Sequence, residues 1–376
     1  MEHYLDNAAT TKPCAEAAAA VMSCISAHYG NPSSLHRKGL EAQHEVEYAR
    51  NQIAGALGCK AQEIIFTSGA TESSNLAIRG AVAAYGRKRK KIVASAVEHA
   101  SVKATLSYLE TLGFTVVTVP PAADGEYHTE DFLREIDSSV CLVSMMLVNN
   151  ENGWRPPGGN VFRMVKRNDP EIITHCDAVQ GFLKIPFKPR TLCADLVSVS
   201  GHKVHALKGV GALYIRHGVR VKPILCGSEQ ERGLRPGTES VPLIASFGAA
   251  TEKLSLNIEE RLERVSQLRS SLIAQLREMD GVIIRDIEGA SPYVLNISLL
   301  GYRSEIVLHY LEQREVYVSS GSACSKGASS GVLELFGAKP AEVDSALRIS
   351  FCAENTEEDI AALVQGLRDA QKELMH

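Results

Sequence analysis

No uninterrupted apolar run in this chain approaches the roughly 18 residues that a membrane span requires. Met1-Glu2-His3 opens no basic-then-apolar segment, so no secretory signal is expected. The nine cysteines include no C-x-x-C pair, are odd in number and lie far apart. That excludes a zinc ribbon and a disulfide framework and predicts a soluble protein of a reducing, cytoplasmic setting, with no metal site. Charge of one sign is scarce as well. Against 40 Lys and Arg stand 44 Asp and Glu, a net −4. The densest basic run, Arg87-Lys88-Arg89-Lys90-Lys91, is short and precedes an apolar run, as a solvated turn does. Neither a nucleic acid nor a membrane is an expected partner.

What is present is ordinary globular composition: 45% apolar and 22% charged residues, with 29 Gly and 14 Pro in 376 residues. Collagen-like and disordered classes are excluded. The length predicts two domains or one large domain with an appendage. A chain of this size buries about three quarters of its unfolded surface, so its core needs no staples.

The pattern is strand, loop, helix, repeated. Short apolar runs fall at Glu63–Thr67, Ile92–Ser95, Thr115–Val119, Val140–Val148, Ile172–His175, Leu196–Ser200, Val210–Ile215 and Pro223–Leu225. Helical stretches include Ala15–His28, Leu40–Leu57, Ser101–Leu112 and Val161–Arg167. Alternation of this kind predicts an α/β domain with a mainly parallel, doubly covered sheet. After about residue 250 the character changes. Glu252–Met279 reads as one long amphipathic stretch, followed by apolar runs at Val282–Ile284, Tyr293–Leu299, Val316–Ser319 and Leu347–Cys352 and helices at Ser304–Arg314 and Thr356–Lys372. This predicts a large domain, 16–250, and a smaller α+β domain formed by 1–15 and 251–376. The small domain contains a Ser-, Gly- and Ala-rich loop, 319–331.

Ligands of open α/β sheets sit at the C-terminal ends of strands, and four such ends carry suitable polar residues. Thr67-Ser68-Gly69-Ala70-Thr71-Glu72 runs from a strand through small residues into a helix. Its exposed N–H groups and Thr hydroxyl suit a phosphate, although a plain N-cap fits equally well. It is no P-loop, because the Gly-Lys-Ser/Thr ending is missing. Asp177, in His175-Cys176-Asp177-Ala178-Val179-Gln180, is either a helix cap or a charge aimed at a ligand. Lys203 follows Ser198-Val199-Ser200-Gly201-His202; a surface lysine is the commoner fate, but a desolvated amine there is a candidate nucleophile. His99 closes the strand that begins near Ile92, where a structural histidine is the commoner outcome. Each signal alone is weak. Together, a phosphate cradle, an Asp, a Lys and a His are the parts needed to hold pyridoxal 5'-phosphate.

The motifs reach further. They include Tyr4-Leu5-Asp6-Asn7-Ala8-Ala9-Thr10-Thr11, Gly30-Asn31-Pro32-Ser33-Ser34, TSGATESSN at 67–75, EH at 98–99, VNNENG at 148–153 and HCDAVQ at 175–180. SGHK at 200–203, KGVGALYIR at 208–216, ERGLRPGTES at 231–240, SSGSACS at 319–325 and LRIS at 347–350 complete the series. In this order they resemble the NifS-type cysteine desulfurases, class V aminotransferases of the fold-type I pyridoxal-phosphate enzymes, over nearly the whole chain.

The resemblance implies a role for each matching residue. Lys203 would bond the cofactor aldehyde, Asp177 would pair with the pyridine nitrogen, and His99 would stack on the ring and assist proton transfer. Asn150 and Gln180 would lie near the ring hydroxyl. Ala70, Thr71, Ser200 and His202 would hold the phosphate, and Thr238 would reach the phosphate of the other subunit of a homodimer with shared active sites. Arg348 would clamp the carboxylate of L-cysteine, a task suited to its planar fork. Cys324, on the small-residue loop, would take the sulfur as a persulfide, leave L-alanine, and hand the sulfur to an acceptor protein: an iron–sulfur scaffold, a tRNA-thiolating enzyme or a member of a cofactor pathway. Lys326 is a candidate for lowering the Cys324 pKa.

Three segments depart from the family pattern: Ala206-Leu207-Lys208-Gly209 where Gly-Pro-Lys-Gly is usual, Pro236 where Ser is usual, and Ala100 where Lys is usual. The chain also stops soon after its last helix, without the longer tail with which relatives dock a scaffold. Three other functions share much of the same machinery. They are a selenocysteine lyase or related β-lyase, a catalytically retired sulfur-trafficking scaffold, and an ordinary aminotransferase, which would have no use for the cysteine loop.

Overall fold

A computed structural model describes residues 1–122, 126–320 and 331–374. The strands, in chain order, are β1 (His3–Tyr4), β2 (Ile64–Thr67), β3 (Lys91–Ser95), β4 (Thr115–Val119), β5 (Val140–Ser144), β6 (Ile173–Asp177), β7 (Leu196–Ser200), β8 (Gly211–Ile215), β9 (Val282–Arg285), β10 (Val294–Leu299), β11 (Val316–Tyr317), β12 (Ser319–Ser320) and β13 (Ala346–Ser350). Seven of them form one sheet in the order β2-β8-β7-β6-β5-β3-β4. Pairing is parallel from β7 through β6, β5 and β3 to β4, and β8 alone runs against its neighbours. The expected mainly parallel α/β sheet is therefore present.

Its central strands are apolar on both faces because helices cover both. β5, β6, β7 and β8 are buried at every position. On one side the helix Arg37–Leu57 buries Ala42, Val46, Ala49, Ile53 and Leu57, a three- and four-residue spacing that makes a single stripe. His36 accepts the Gly39 N–H to open this helix, and Gly58 closes it at φ +65. The helix packs on Val241–Ser255, where a Cβ at Gly248 would come within 2.6 Å of Ala49. Each large apolar side chain removed from water in this core contributes roughly 1.5–3 kcal/mol.

A second apolar core gathers Leu5 with residues between Val265 and Leu367. It lies under the antiparallel sheet β12-β13-β10-β9 and the helices Ile258–Leu276, Ser304–Glu312 and Glu357–Glu373. The N-terminal segment is bound into this part. β1 pairs with β11, and the amides of Asn7 and Ser350 exchange hydrogen bonds with the carbonyls of Ser350 and Leu5. Residues 8–11 then cross to the turn after β7, where the Thr11 N–H donates to His202 O at 2.9 Å.

Three expectations are corrected. Pro223–Leu225 is an irregular bend outside any strand, and its proline lacks the N–H a ladder needs. The stretch Glu252–Met279 is two helices, Val241–Ser255 and Ile258–Leu276, broken at Leu256-Asn257, and the first starts eleven residues earlier than its charge pattern suggested. Val316–Ser319 is divided between β11 and β12, which belong to different sheets.

Candidate active site

The C-terminal ends of β2, β3, β6 and β7 bring Ala70, Thr71, His99, Asp177, Gln180, Ser200, His202 and Lys203 to one edge of the large sheet. Asp177 ends β6 at 4% exposure, and its Oδ1 accepts the Val179 N–H at 3.0 Å. Burial pushes this carboxyl up, while the charges of His99 and Lys203 pull it back. The three groups lie within electrostatic reach of one another.

His99 caps the helix Ala100–Thr111. Its Nδ1 accepts the Ser101 N–H at 3.1 Å and lies 2.8 Å from Ser101 Oγ. A nitrogen that accepts from a backbone N–H carries no proton of its own, so the neutral ring holds its hydrogen on Nε2. Burial lowers the His99 pKa, opposed by Asp177, and keeps the ring neutral.

Lys203 ends the short turn Gly201–Lys203 after β7. Its Nζ donates to Ala8 O and Ala9 O, both at 2.6 Å. His202, one residue earlier, has Nδ1 3.2 Å from Thr10 Oγ1 and a pKa pushed down to about 4 by burial and nearby lysines. Ser200 ends β7 with its Oγ buried and unpartnered among the described residues.

The phosphate-type turn follows β2. Gly69 sits at φ +153, where a Cβ would meet nothing within 4 Å, so open space lies in front of the first turn of Ala70–Tyr85. The opening N–H groups of any helix lack intrahelical acceptors, and here they belong to Ala70 and Thr71. Glu72 shapes the turn from behind, accepting the Ser68 N–H at 2.7 Å and the Arg235 Nε–H at 3.0 Å. Through Arg235 the loop that bears Thr238 is tied to the cradle, and Thr238 itself is exposed. The same loop is held at Glu231, which takes both Arg50 guanidinium ends and the Phe66 N–H on the outer edge of β2.

Arg348 lies on β13 at 5% exposure. Its Nη2 donates to Asp6 Oδ1 at 2.8 Å and its Nη1 to the Asn150 carbonyl at 3.2 Å. Its Nε is buried without a partner among the described residues. Asn150 thus meets the site through its backbone, on a turn shaped by Asn149, whose Oδ1 accepts the N–H groups of Glu151 and Asn152. Gln180 donates from Nε2 to Ala8 O at 2.9 Å and accepts from Lys184 Nζ at 3.1 Å. Cys324 and Lys326 lie outside the described residues.

Sequence reasoning missed three participants. Asp6 sits in a quoted motif, but nothing local links it to Arg348, 342 residues away. Lys184 is only 6% exposed, with its amine pushed down to about 7 by burial and by Lys203. Glu98 is fully buried beside His99. Its Oε1 accepts the Met146 N–H at 2.7 Å and the Ser95 hydroxyl, and burial raises its pKa to about 8.

Comparison with known proteins gives the family. The family model for aminotransferase class-V matches residues 3–363. A cysteine desulfurase of Trichormus azollae is 37% identical over 368 residues, covering 96% of this chain and 91% of that protein. Among solved structures, a NifS-like protein superposes with a TM-score of 0.94 at 35% identity over 100% of both chains. SspA in complex with cysteine superposes at a TM-score of 0.82 and 29% identity, over 95% of this chain and 100% of that one. A lysine, a buried aspartate and a capping histidine on one sheet edge, in a match that runs almost end to end, leave one assignment: the chain belongs to the aminotransferase class-V family, among its NifS-like cysteine desulfurases.

Proposed function

We propose that this protein is a pyridoxal-phosphate-dependent cysteine desulfurase that converts L-cysteine to L-alanine and takes the sulfur onto Cys324. The observation that carries the proposal is Asp177: a carboxylate at 4% exposure, within reach of His99 and Lys203, at the end of a central strand. A buried carboxylate with one backbone hydrogen bond among the described residues calls for a cation, and a protonated pyridine nitrogen is one. The orphaned Ser200 Oγ and the open space before Gly69 fit a phosphate in the same way. Lys203 would bond the cofactor aldehyde, His99 would face the ring, and Ala70, Thr71, Ser200 and His202 would hold the phosphate, with Thr238 serving the other subunit of a homodimer. Asn150 and Gln180 would flank the ring hydroxyl.

When bound, the cofactor supplies a ring that withdraws electrons from the substrate carbon next to the amine. The chain's own groups do the rest. Arg348 holds the carboxylate of L-cysteine, with its Nε, unpartnered among the described residues, available as a donor. The Lys203 amine takes the proton from Cα and later returns a proton to carbon. His99, neutral with Nε2–H, assists proton movement at the substrate. The Cys324 thiolate attacks the substrate sulfur: an S–S bond forms, the Cβ–S bond breaks, and its electron pair stays with the carbon fragment. Protonation of that fragment gives L-alanine and leaves a persulfide on Cys324. The related SspA structure, solved with cysteine, supports this substrate.

The apolar core that joins Leu5 to residues between Val265 and Leu367 supports a division into a large unit, 16–250, and a small unit, 1–15 with 251–376. The persulfide would pass to an iron–sulfur scaffold or a tRNA-thiolating enzyme in the cytoplasm.

The test is the intact mass of the cofactor-loaded protein after brief exposure to L-cysteine, beside Cys324→Ala. A reducible gain of one sulfur in the wild type alone supports persulfide transfer at Cys324. Unchanged sulfur release by Cys324→Ala would overturn it in favour of a lyase.

A further inference from the structure

The turn that carries Lys203 also carries His205, two residues on. His205 meets Cys352 and Glu354, from the segment that follows β13. Its Nε2 lies 3.7 Å from Glu354 Oε2, and one donor atom from each of the three residues lies within 4.8 Å of the others. We propose that His205, Cys352 and Glu354 form a binding site for a divalent cation of the zinc class, one that fastens the Lys203 turn to the end of β13. This proposal is independent of the cofactor assignment.

The donor set selects the cation. One imidazole nitrogen, one thiolate and one carboxylate oxygen suit zinc, whereas calcium and magnesium seek oxygen alone. Zinc–ligand bonds of about 2.0–2.3 Å at tetrahedral angles require ligand separations of roughly 3.3–3.6 Å. The His205–Glu354 distance is already close to that, and the Glu354 side chain, 57% exposed, has room to close the remainder. A water completes the fourth position. On binding, the Cys352 thiol proton leaves to solvent and the sulfur lone pair goes to the metal.

His205 is prepared for this role. Its Nδ1 lies 2.9 Å from the Lys12 carbonyl, which can only accept, so Nδ1 carries the hydrogen and Nε2 keeps its lone pair toward Glu354. A carbonyl behind the remote nitrogen is the usual support of a ligating histidine. The residue also holds a left-handed backbone, φ +59, a conformation that non-glycine residues rarely adopt. Two bonds fix it there: His205 N–H to Thr11 Oγ1 at 2.7 Å, and Cys14 N–H to His205 O at 2.9 Å. The Cys352 amide is held as well, donating to Asn355 Oδ1 at 2.8 Å. A surface cleft lined by Tyr4, Thr11, Lys12 and Lys253 leads to the three residues, and the Lys253 ammonium is met by Glu16 at 2.9 Å.

The experiment is equilibrium dialysis of chelator-treated, cofactor-loaded protein against zinc, with bound metal counted per chain. The expected result is one zinc per chain in the wild type and in Cys324→Ser, and at least a tenfold weaker site in Cys352→Ser and in His205→Asn. Asparagine tolerates the left-handed backbone, and Glu354→Gln, at an exposed position, serves if either variant fails to fold. Wild-type protein that retains no zinc would overturn the proposal. So would zinc kept undiminished by Cys352→Ser, or zinc lost with Cys324→Ser, which would place the metal on the sulfur-accepting thiol.

Discussion

Arg348 and Asp6, 342 residues apart in sequence, form an ion pair at 2.8 Å in which the arginine is almost wholly buried. A carboxylate therefore already occupies one arm of the group proposed to bind the substrate carboxylate. Asp6 holds the guanidinium in place and also opposes an incoming anion. Asp6→Asn keeps a hydrogen-bond acceptor and removes the charge, so KM for L-cysteine should fall by roughly threefold to tenfold, on the order of 1 kcal/mol. Arg348→Lys, which loses the fork, should raise KM by at least tenfold. Steady-state kinetics of both variants separate the two effects. An unchanged KM in Arg348→Lys would remove Arg348 from substrate binding.

Lys203 and Asp177 should fail differently. Lys203→Ala removes the only amine proposed to bond the cofactor, so turnover and the absorption band of the lysine–cofactor bond should both disappear. Asp177→Asn removes the charge beside the ring nitrogen but leaves the amine, so absorption should persist while turnover drops at least a hundredfold. Absorption spectra and alanine production from L-cysteine check both. Robust turnover by Lys203→Ala would refute its assignment.

Lys184 offers a third test, because a buried amine is a liability. Its folded pKa of about 7 lies below the ordinary value of 10.5, so the native state holds fewer protons than the unfolded state between those limits. The contribution of this group to wild-type stability should then rise as pH climbs from 7 toward 10.5. Lys184→Met abolishes this dependence. Its gain in urea midpoint over the wild type should be largest at or below pH 7 and shrink toward pH 10. A constant difference across that range would mean that Lys184 is not desolvated.

The sheet and the site differed in how much local sequence revealed. Apolar runs such as Leu196–Ser200 marked strands because both faces are buried, and the polar residues after them marked the ligand edge. His99, Asp177 and Lys203 were legible for that reason. Pro223–Leu225 misled because three apolar residues carry no period and the proline forbids a ladder. The helix Val241–Ser255 escaped because it is apolar on nearly every face, leaving no stripe to count. Asp6, Lys184 and Glu98 were illegible for another reason. Each acquires its chemistry from burial or from a partner distant in sequence, and neither is written in the residues beside it.

Glu98 gives the prediction of opposite sign to Lys184. Its carboxyl is fully buried, and burial raises its pKa to about 8, with the Asp177 charge adding to the rise and the hydrogen bonds from Ser95 and Met146 opposing it. Its Oε2 has no partner among the described residues. Near neutral pH the native state therefore holds a proton that the unfolded state, with an ordinary value near 4.5, has released. Stability from this group is present in full below pH 4.5 and is lost as pH rises toward 8, by up to about 1.4 kcal/mol per pH unit. Glu98→Gln keeps an acceptor for the Met146 N–H and cannot ionise. Its urea midpoint should match the wild type near pH 5 and exceed it increasingly up to pH 8. A neutral Glu98 also spares Asp177 a second buried anion beside it. If the two midpoints run parallel from pH 5 to 8, Glu98 is ionised throughout, and a buried anion lies next to His99.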